Sequence, residues 1–554
     1  MTAEHTPHRI TGPVNLGPRR PLRMHADESW LDLSWYEGPR EDPAWPEVYT
    51  YTDAISYAPG EEVVFRGSTN AARWSLEIVR DGAAPECVHR SDDLPGAFTA
   101  MPEAAYRTGC DWPVRHRWQI PADARSGFYK VISTCERRDG SPFVQHHWFV
   151  VRPTAATRRG KLLMILPTAT WTAYNDWGGA NHYRGIDGPG RDQFSPVLSL
   201  QRPWTRGIVW LPPGAPRLSN DPAPEPLAAP RYPMKEWAYA NGFGYYFAAS
   251  GWAQFDRHFV VWAERDGFDP DMITQTDLHL RPDLLDAYPA VVIVGHDEYW
   301  SHEMRRAIEA YVERGGRLAR FGANFTWQIR LEDEGRRQVC YKMRAPDEDP
   351  VRGTERAHLL STAWEDRRVR WPGASTVGVN GLGGVYASWG GFVPRGQKGF
   401  TVYRPAHWVF AGTQLSYGDV FGAEARIFSY EVDGLDYTFR HGLPYPTGED
   451  GAATDIEILA MAPAVMAEAQ HDGEGFRYYI GDHDERGKAE MVYGDLSDES
   501  LARSRYGSGM IVHMRRGAGE VVTAASCEWV MGLARGDFYT QQITRTVLRR
   551  FIAG

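Results

Sequence analysis

Ala290-Val291-Val292-Ile293-Val294-Gly295-His296-Asp297-Glu298-Tyr299-Trp300-Ser301 decides the reading of the fold. Five consecutive apolar residues without alternation describe a strand buried on both faces, the habit of parallel sheets. A glycine ends the run, titratable and aromatic residues follow, and Ser301 offers the side-chain oxygen that starts a helix. Met304, Ala307, Ile308, Tyr311 and Val312 then form one apolar stripe, closed by Gly315-Gly316. Leu318-Ala319-Arg320-Phe321 is the next strand. Strand, helix and strand in this order predict a parallel sheet with helices on its faces.

The same grammar extends in both directions. Leu162-Leu163-Met164-Ile165-Leu166 is a second continuous apolar run. A long irregular stretch rich in Gly, Pro, Asn and Trp follows to about Pro233. Phe255, Phe259 and Trp262 then share a helical face that ends before Gly267, and Met272-Ile273 makes a short strand. After about residue 330 the pattern turns β-rich and irregular. Val521-Val522 and a helix carrying Ile543, Val547 and Phe551 are expected to return and complete the sheet. Ahead of Lys161 the pattern differs. From Tyr49 to Arg152 short strands alternate with turns such as Pro59-Gly60, Asp81-Gly82 and Asp139-Gly140, which predicts a β-sandwich. The expected organisation is an arm over 1–28, a sandwich over 29–152, a linker from Pro153 to Gly160, and an α/β domain over 161–554.

A chain of 554 residues exceeds what one hydrophobic core supports. The net charge of −10 is spread without a basic stripe, so nucleic acid is not an expected partner. No run of eighteen apolar residues and no signal-type apolar stretch occur, so neither a membrane span nor secretion is expected, and a cytoplasmic location is. Five cysteines without a C-x-x-C pair read as free thiols, with one bridge among Cys87, Cys110 and Cys135 left open. The 21 tryptophans and 27 tyrosines read first as sheet cores, second as sugar platforms.

Ligands of parallel sheets collect beyond the carboxyl ends of the strands. That rule selects Pro167–Trp171 with Tyr174-Asn175, Thr274, Gly295–Trp300 and Gly322-Ala323-Asn324. The third segment is the densest in titratable groups. A capping turn would need only one of them, and adjacent Asp297 and Glu298 should point apart. No nucleophile elbow, P-loop or H-E-x-x-H is present. Cys340 and Cys527 lie in strand-like sequence, and His146-His147 must face opposite sides of their strand.

These residues resemble the N,N-dimethylformamidase large (beta) subunit-like family. The resemblance rests on Gly295–Ser301 and on Trp262–Asp269 with Asp277-Leu278-His279. Gly322-Ala323-Asn324 through Trp327, Val339–Lys342 with Glu348-Asp349-Pro350, and His407–Gly412 extend it. It implies a glutamine-amidotransferase-like α/β domain without the cysteine nucleophile, behind an immunoglobulin-like sandwich. It also implies one ferric iron held by two tyrosines and a glutamate, hydrolysing a small tertiary amide. Carried over residue by residue, Tyr299 matches one tyrosine ligand and His258 falls at the other. Gly381 of Gly381-Leu382-Gly383-Gly384 stands at the glutamate. His258 also reads as a core histidine, on the face of Phe255, Phe259 and Trp262. Replacement ligands are His296, Glu298, Asp455 or Glu457.

The leading expectation is therefore a metal-dependent amidohydrolase of a small amide or formamide, with homo-oligomerisation an open option. In it Tyr299 and His258 bind iron, Glu298 or His296 is general base, and Asn324 or Tyr174 positions the substrate. The alternatives are a non-catalytic protein whose degenerate pocket binds a glycan or protein partner, and a metal-free hydrolase using His296 and Asp297.

Overall fold

The computed structural model describes residues 36–185, 194–217, 233–387, 398–466 and 483–553. The expected arm, 1–28, lies outside them. Leu162–Leu166 pairs in parallel with Asp271–Thr274 on one side and Ala290–His296 on the other. Arg317–Ala323 and then Gly519–Ala524 continue the parallel order. The late strand thus closes the parallel part, as its sequence predicted. Beyond it Tyr506–Arg516 and Glu457–Val465 add antiparallel strands, followed by Asn380–Tyr386 and Glu431–Gly434.

Burial on both faces explains the unbroken apolar runs. Leu163, Ile165, Val291 and Ile293 enter one core, which holds Met304, Ile308 and Val312 of the helix His302–Glu313. Met164, Leu166, Val292 and Val294 enter the other, against Phe255, Phe259, Val547 and Phe551. Each such side chain contributes about 1.5–3 kcal/mol when fully buried. Ser301 caps its helix as expected, its hydroxyl accepting from Met304 N at 3.2 Å.

The segment before residue 152 forms a three-stranded sheet (Val48–Thr52, Glu62–Thr69, Val114–Gln119) and a five-stranded one (Ser56–Tyr57, Pro142–Val151, Gly127–Glu136, Arg73–Asp81, Glu86–Pro95). Tyr49, Tyr51, Phe65, Trp74, Trp112 and Phe149 fill one core with both sheets contributing. The outer face of the larger sheet is not solvated. Phe128, Trp148 and Val150 belong to the α/β core, and the rings of Phe128 and Trp252 stack at 4.0 Å. Arg80 pairs with Glu264 at 3.0 Å and Arg257 with Asp81 at 3.0 Å across the same boundary. His146 and His147 do face opposite ways: His147 Nε2 accepts from Thr52 N, while the His146 ring meets Trp210. Trp112, Trp148, Trp171, Trp252, Trp300 and Trp529 are fully buried, so these rings are core. All five cysteines are free.

At the carboxyl ends of the strands, Arg320 lies fully buried between Asp297 (2.9 Å) and Asp433 (2.7 Å). Asp433 also accepts from Asn324 N at 2.6 Å and Phe325 N at 3.3 Å, which holds Asn324 in a left-handed conformation, φ 69°. One arginine thereby ties the strands Arg317–Ala323 and Glu431–Gly434 to the turn that follows Ala290–His296. Arg320→Met should strand two buried carboxylates and cost about 3–5 kcal/mol. Arg314→Ala, which removes an exposed pair with Asp286, should cost less than about 1 kcal/mol. Urea midpoints of the two variants measure the contrast, and equal losses would refute it.

Candidate active site

The turn after Ala290–His296 begins with a backbone requirement. Gly295 has φ 72°, and a Cβ there would sit 2.5 Å from Cβ of Phe255. Glycine therefore lets the strand pass against the helix that packs on it. The next residues diverge as predicted. Asp297 turns down to Arg320, to Trp300 Nε1 at 2.7 Å and to Gln275. Glu298 turns up into a pocket of aromatic rings. Thr170 Oγ1 fixes the turn by accepting from Glu298 N at 2.9 Å and Tyr299 N at 3.4 Å.

Three oxygen donors meet there. Tyr183 Oη donates to Glu298 at 2.7 and 2.6 Å, and Tyr299 Oη donates to Tyr183 Oη at 2.9 Å. Trp327 Nε1 donates to Glu298 Oε1 at 2.8 Å. His296 Nε2 lies 3.2 Å from Glu298 Oε2 and 2.7 Å from Glu431 Oε2. Neither Glu431 Oε2 nor His296 Nδ1 has a hydrogen bond of good alignment, so both are under-satisfied buried atoms. Asn324 Nδ2 stands 3.4 Å from His296 Nε2. The ring of Tyr174 packs on Tyr183 at 4.5 Å and on His296 at 5.1 Å. Lys342, with φ 52°, places Nζ 3.3 Å over the Tyr183 ring.

Burial alone would strip the proton from His296, but Glu431 and Glu298 outweigh it and raise the imidazole to about 10. Burial would raise Glu298, yet the bond with His296 and the nearby Lys342 charge hold it below its usual value. Burial pushes Glu431 up, opposed by His296. Tyr174, Tyr183 and Tyr299 are pushed well above 10 by burial and by Glu298, so each is a neutral phenol. Burial lowers Lys342 to about 8.

Of the expected residues, the structure brings together Tyr299, Glu298, His296, Asn324 and Tyr174. It does not bring His258 to Tyr299. The half-buried His258 ring bonds Arg217 at 3.1 Å and borders a surface cavity with Arg257, Asp266 and Leu533. The correction has a helical cause: Phe255 and Phe259 take the inward positions, and His258 is turned toward the Arg217–Glu528 pair. Tyr183 supplies the second phenol instead. Glu457 groups elsewhere with His407 and His513, and Asp455 is exposed. Asp297 has its oxygens committed to Arg320 and Trp300, so a His296–Asp297 pairing is not formed. Cys340 is buried with its thiol pushed up to about 12. Cys527 joins His296 and Glu431 in a group that could hold a metal, but burial drives its thiol well above 9, which makes a nucleophile of neither cysteine. Tyr183, Glu431, Lys342 and Trp327 were not singled out from sequence as site groups. Only Lys342 and Trp327 carried a signal, as members of the family-like segments.

Phenols, carboxylates and an imidazolium thus converge, buried, at the carboxyl edge of a parallel sheet, where α/β proteins gather their ligands. The chain belongs to the family described as N,N-dimethylformamidase beta subunit-like, C-terminal, whose model matches residues 71–543. The match starts within the sandwich, in accord with the shared core. No curated protein matches the chain. Among solved structures, the sporulation control protein Spo0M of Bacillus subtilis is 16% identical with a TM-score of 0.15, covering 20% of this chain and 50% of its own. The β-D-glucuronidase of Dictyoglomus thermophilum is 8% identical with a TM-score of 0.12, covering 50% of this chain and 43% of its own. The chain spans half or less of either structure, and at these scores neither likeness carries an argument.

The raised imidazole has a pH consequence. Its folded value near 10 lies above the ordinary 6.5, so its stabilisation is complete below pH 6.5 and lost as pH rises through about 10. The melting-temperature deficit of His296→Gln should therefore be largest at pH 6 and shrink steadily toward pH 10. A deficit that grows with pH would show that His296 is held neutral.

Proposed function

We propose that the protein is a metal-dependent hydrolase of the C–N bond of a small amide or formamide. The observation that carries this reading is the convergence of three oxygen groups, with Tyr183 Oη within hydrogen-bond distance of both the Glu298 carboxylate and Tyr299 Oη. Two phenols and a carboxylate are hard oxygen donors, the set that suits a hard, highly charged cation such as ferric iron. Their oxygens already share protons, which a bound cation would displace. Tyr183, Tyr299 and Glu298 would hold it. When bound, such an ion polarises the amide carbonyl and acidifies water.

The chain's own groups handle the protons. Hydrolysis forms a carbon–oxygen bond from water, breaks the carbon–nitrogen bond, and requires a proton on the departing amine. His296 is an imidazolium at neutral pH, so its task is to donate that proton rather than to act as the base. Glu431, with the His296 imidazolium 2.7 Å away and no aligned bond at Oε2, accepts the proton of the attacking water. His296 and Glu431 together form a relay that the reaction leaves in its starting state. Asn324, fixed in its left-handed turn by Asp433, presents its amide beside His296 for the substrate carbonyl. Tyr174 covers the imidazole and keeps water from it.

Tyr183→Phe and Tyr299→Phe each remove one oxygen and keep the ring, costing about 0.5–1.5 kcal/mol of stability. Each is expected to lower iron content and turnover of N,N-dimethylformamide by at least about tenfold, whereas His258→Asn leaves both unchanged. Elemental analysis and assays on the purified variants test this. Full iron content and turnover in both tyrosine variants would end the reading.

A further inference from the structure

A second cavity, of about 480 Å³, lies between the segment around Glu365–Pro372, the strand Asn380–Tyr386 and the helical segment that contains Lys488 and Val492. Its charged lining is even in number, with Glu365, Asp436, Glu449 and Asp450 against Arg367, Arg370, Lys488 and Arg503, but uneven in pairing. Asp450 accepts from Asn380 Nδ2 and Asp436 N, and Glu449 pairs with Arg503 at 3.0 Å. Lys488 is only 8% exposed, yet its ammonium makes no hydrogen bond or ion pair among the described residues. Glu365 borders the same space. Its Oε1 accepts from Gly381 N at 3.1 Å, while Oε2 is buried without a partner. A buried carboxyl oxygen without a partner, beside a largely buried lysine that lines the same space, is costly in a cavity that nothing enters.

We propose that this cavity is a binding site for a small organic carboxylate bearing an apolar or aromatic body. Lys488 supplies the charge that a carboxylate needs. Burial pushes Glu365 up to about 8, so at neutral pH it is an acid that donates rather than accepts. Lys488, lowered by burial to about 8, stays mostly charged there. Two donors thus face the two oxygens of one carboxylate, which accepts at up to four positions. Leu382, Leu435 and Val492 with the rings of Tyr437 and Tyr493 line the remainder, fitting an apolar body. The assignment is independent of the metal chemistry at Tyr299.

Calorimetric titration of the full-length protein with benzoate at pH 7 tests it. One molecule should bind per chain. Lys488→Met should weaken binding at least tenfold, Glu365→Ala should weaken it, and Glu365→Gln, which keeps a donor, should retain it. Tyr299→Phe should bind benzoate as the parent does. Val492→Trp, filling the cavity from its half-buried wall, should abolish binding and serves if Lys488→Met does not fold. Absence of binding, unchanged affinity in Lys488→Met or Val492→Trp, or loss of binding in Tyr299→Phe would overturn the proposal.

Discussion

Arg320, enclosed between Asp297 and Asp433, is the constraint on which the site depends. A guanidinium with no access to solvent must have both its charge and its donors matched, and two carboxylates, one from a strand-end turn and one from Glu431–Gly434, do so. Because Asp297 is held downward, its neighbour Glu298 is directed upward. Because Asp433 also binds Asn324 N and Phe325 N, the strand-end loop carrying Asn324 has one conformation. The same residue that strengthens the junction of the sheet thus aims two groups of the pocket.

Above this junction the charges are interdependent. Glu298 and Glu431 could not both remain ionised in so dry a place without His296, and His296 would not keep its proton without them. Lys342 adds a cation over the Tyr183 ring, favouring electron-rich phenols beneath it. Such a cluster is costly to fold, and strongly perturbed groups gathered in this way mark a candidate functional site. It also explains why neutral Tyr183 and Tyr299 can lie side by side: Tyr299 donates to Tyr183 Oη, and Tyr183 donates to the Glu298 carboxylate.

The parallel sheet was legible because burial on both faces leaves unbroken apolar runs, and the Ser301 cap, the His302–Glu313 helix and the late return of Gly519–Ala524 followed the same rules. Half of the site was legible for the related reason that strand ends gather ligands, which placed His296, Glu298, Tyr299 and Asn324. Tyr183 and Glu431 were not. Tyr183 lies in an irregular stretch and Glu431 at the head of a short strand, Glu431–Gly434, at the far end of the sheet order. No local period marks either, since long-range packing alone carries them to Glu298 and His296. His258 shows the converse. Its spacing matched a motif, but the angular position on its helix sends the ring to Arg217. The short strands before residue 152 were visible as a change of pattern, while the stacking of Phe128 on Trp252, which joins them to the α/β core, was not.

The central claim is that Tyr183 and Tyr299 together with Glu298 form one oxygen-donor site. Titration of metal-free protein with ferric iron, followed by visible absorption, tests it most directly. The account predicts a phenolate-to-iron charge-transfer band that saturates at one iron per chain, weakens in Tyr183→Phe and in Tyr299→Phe, and vanishes when both are replaced. Iron binding without such a band, or a band indifferent to both substitutions, would contradict it.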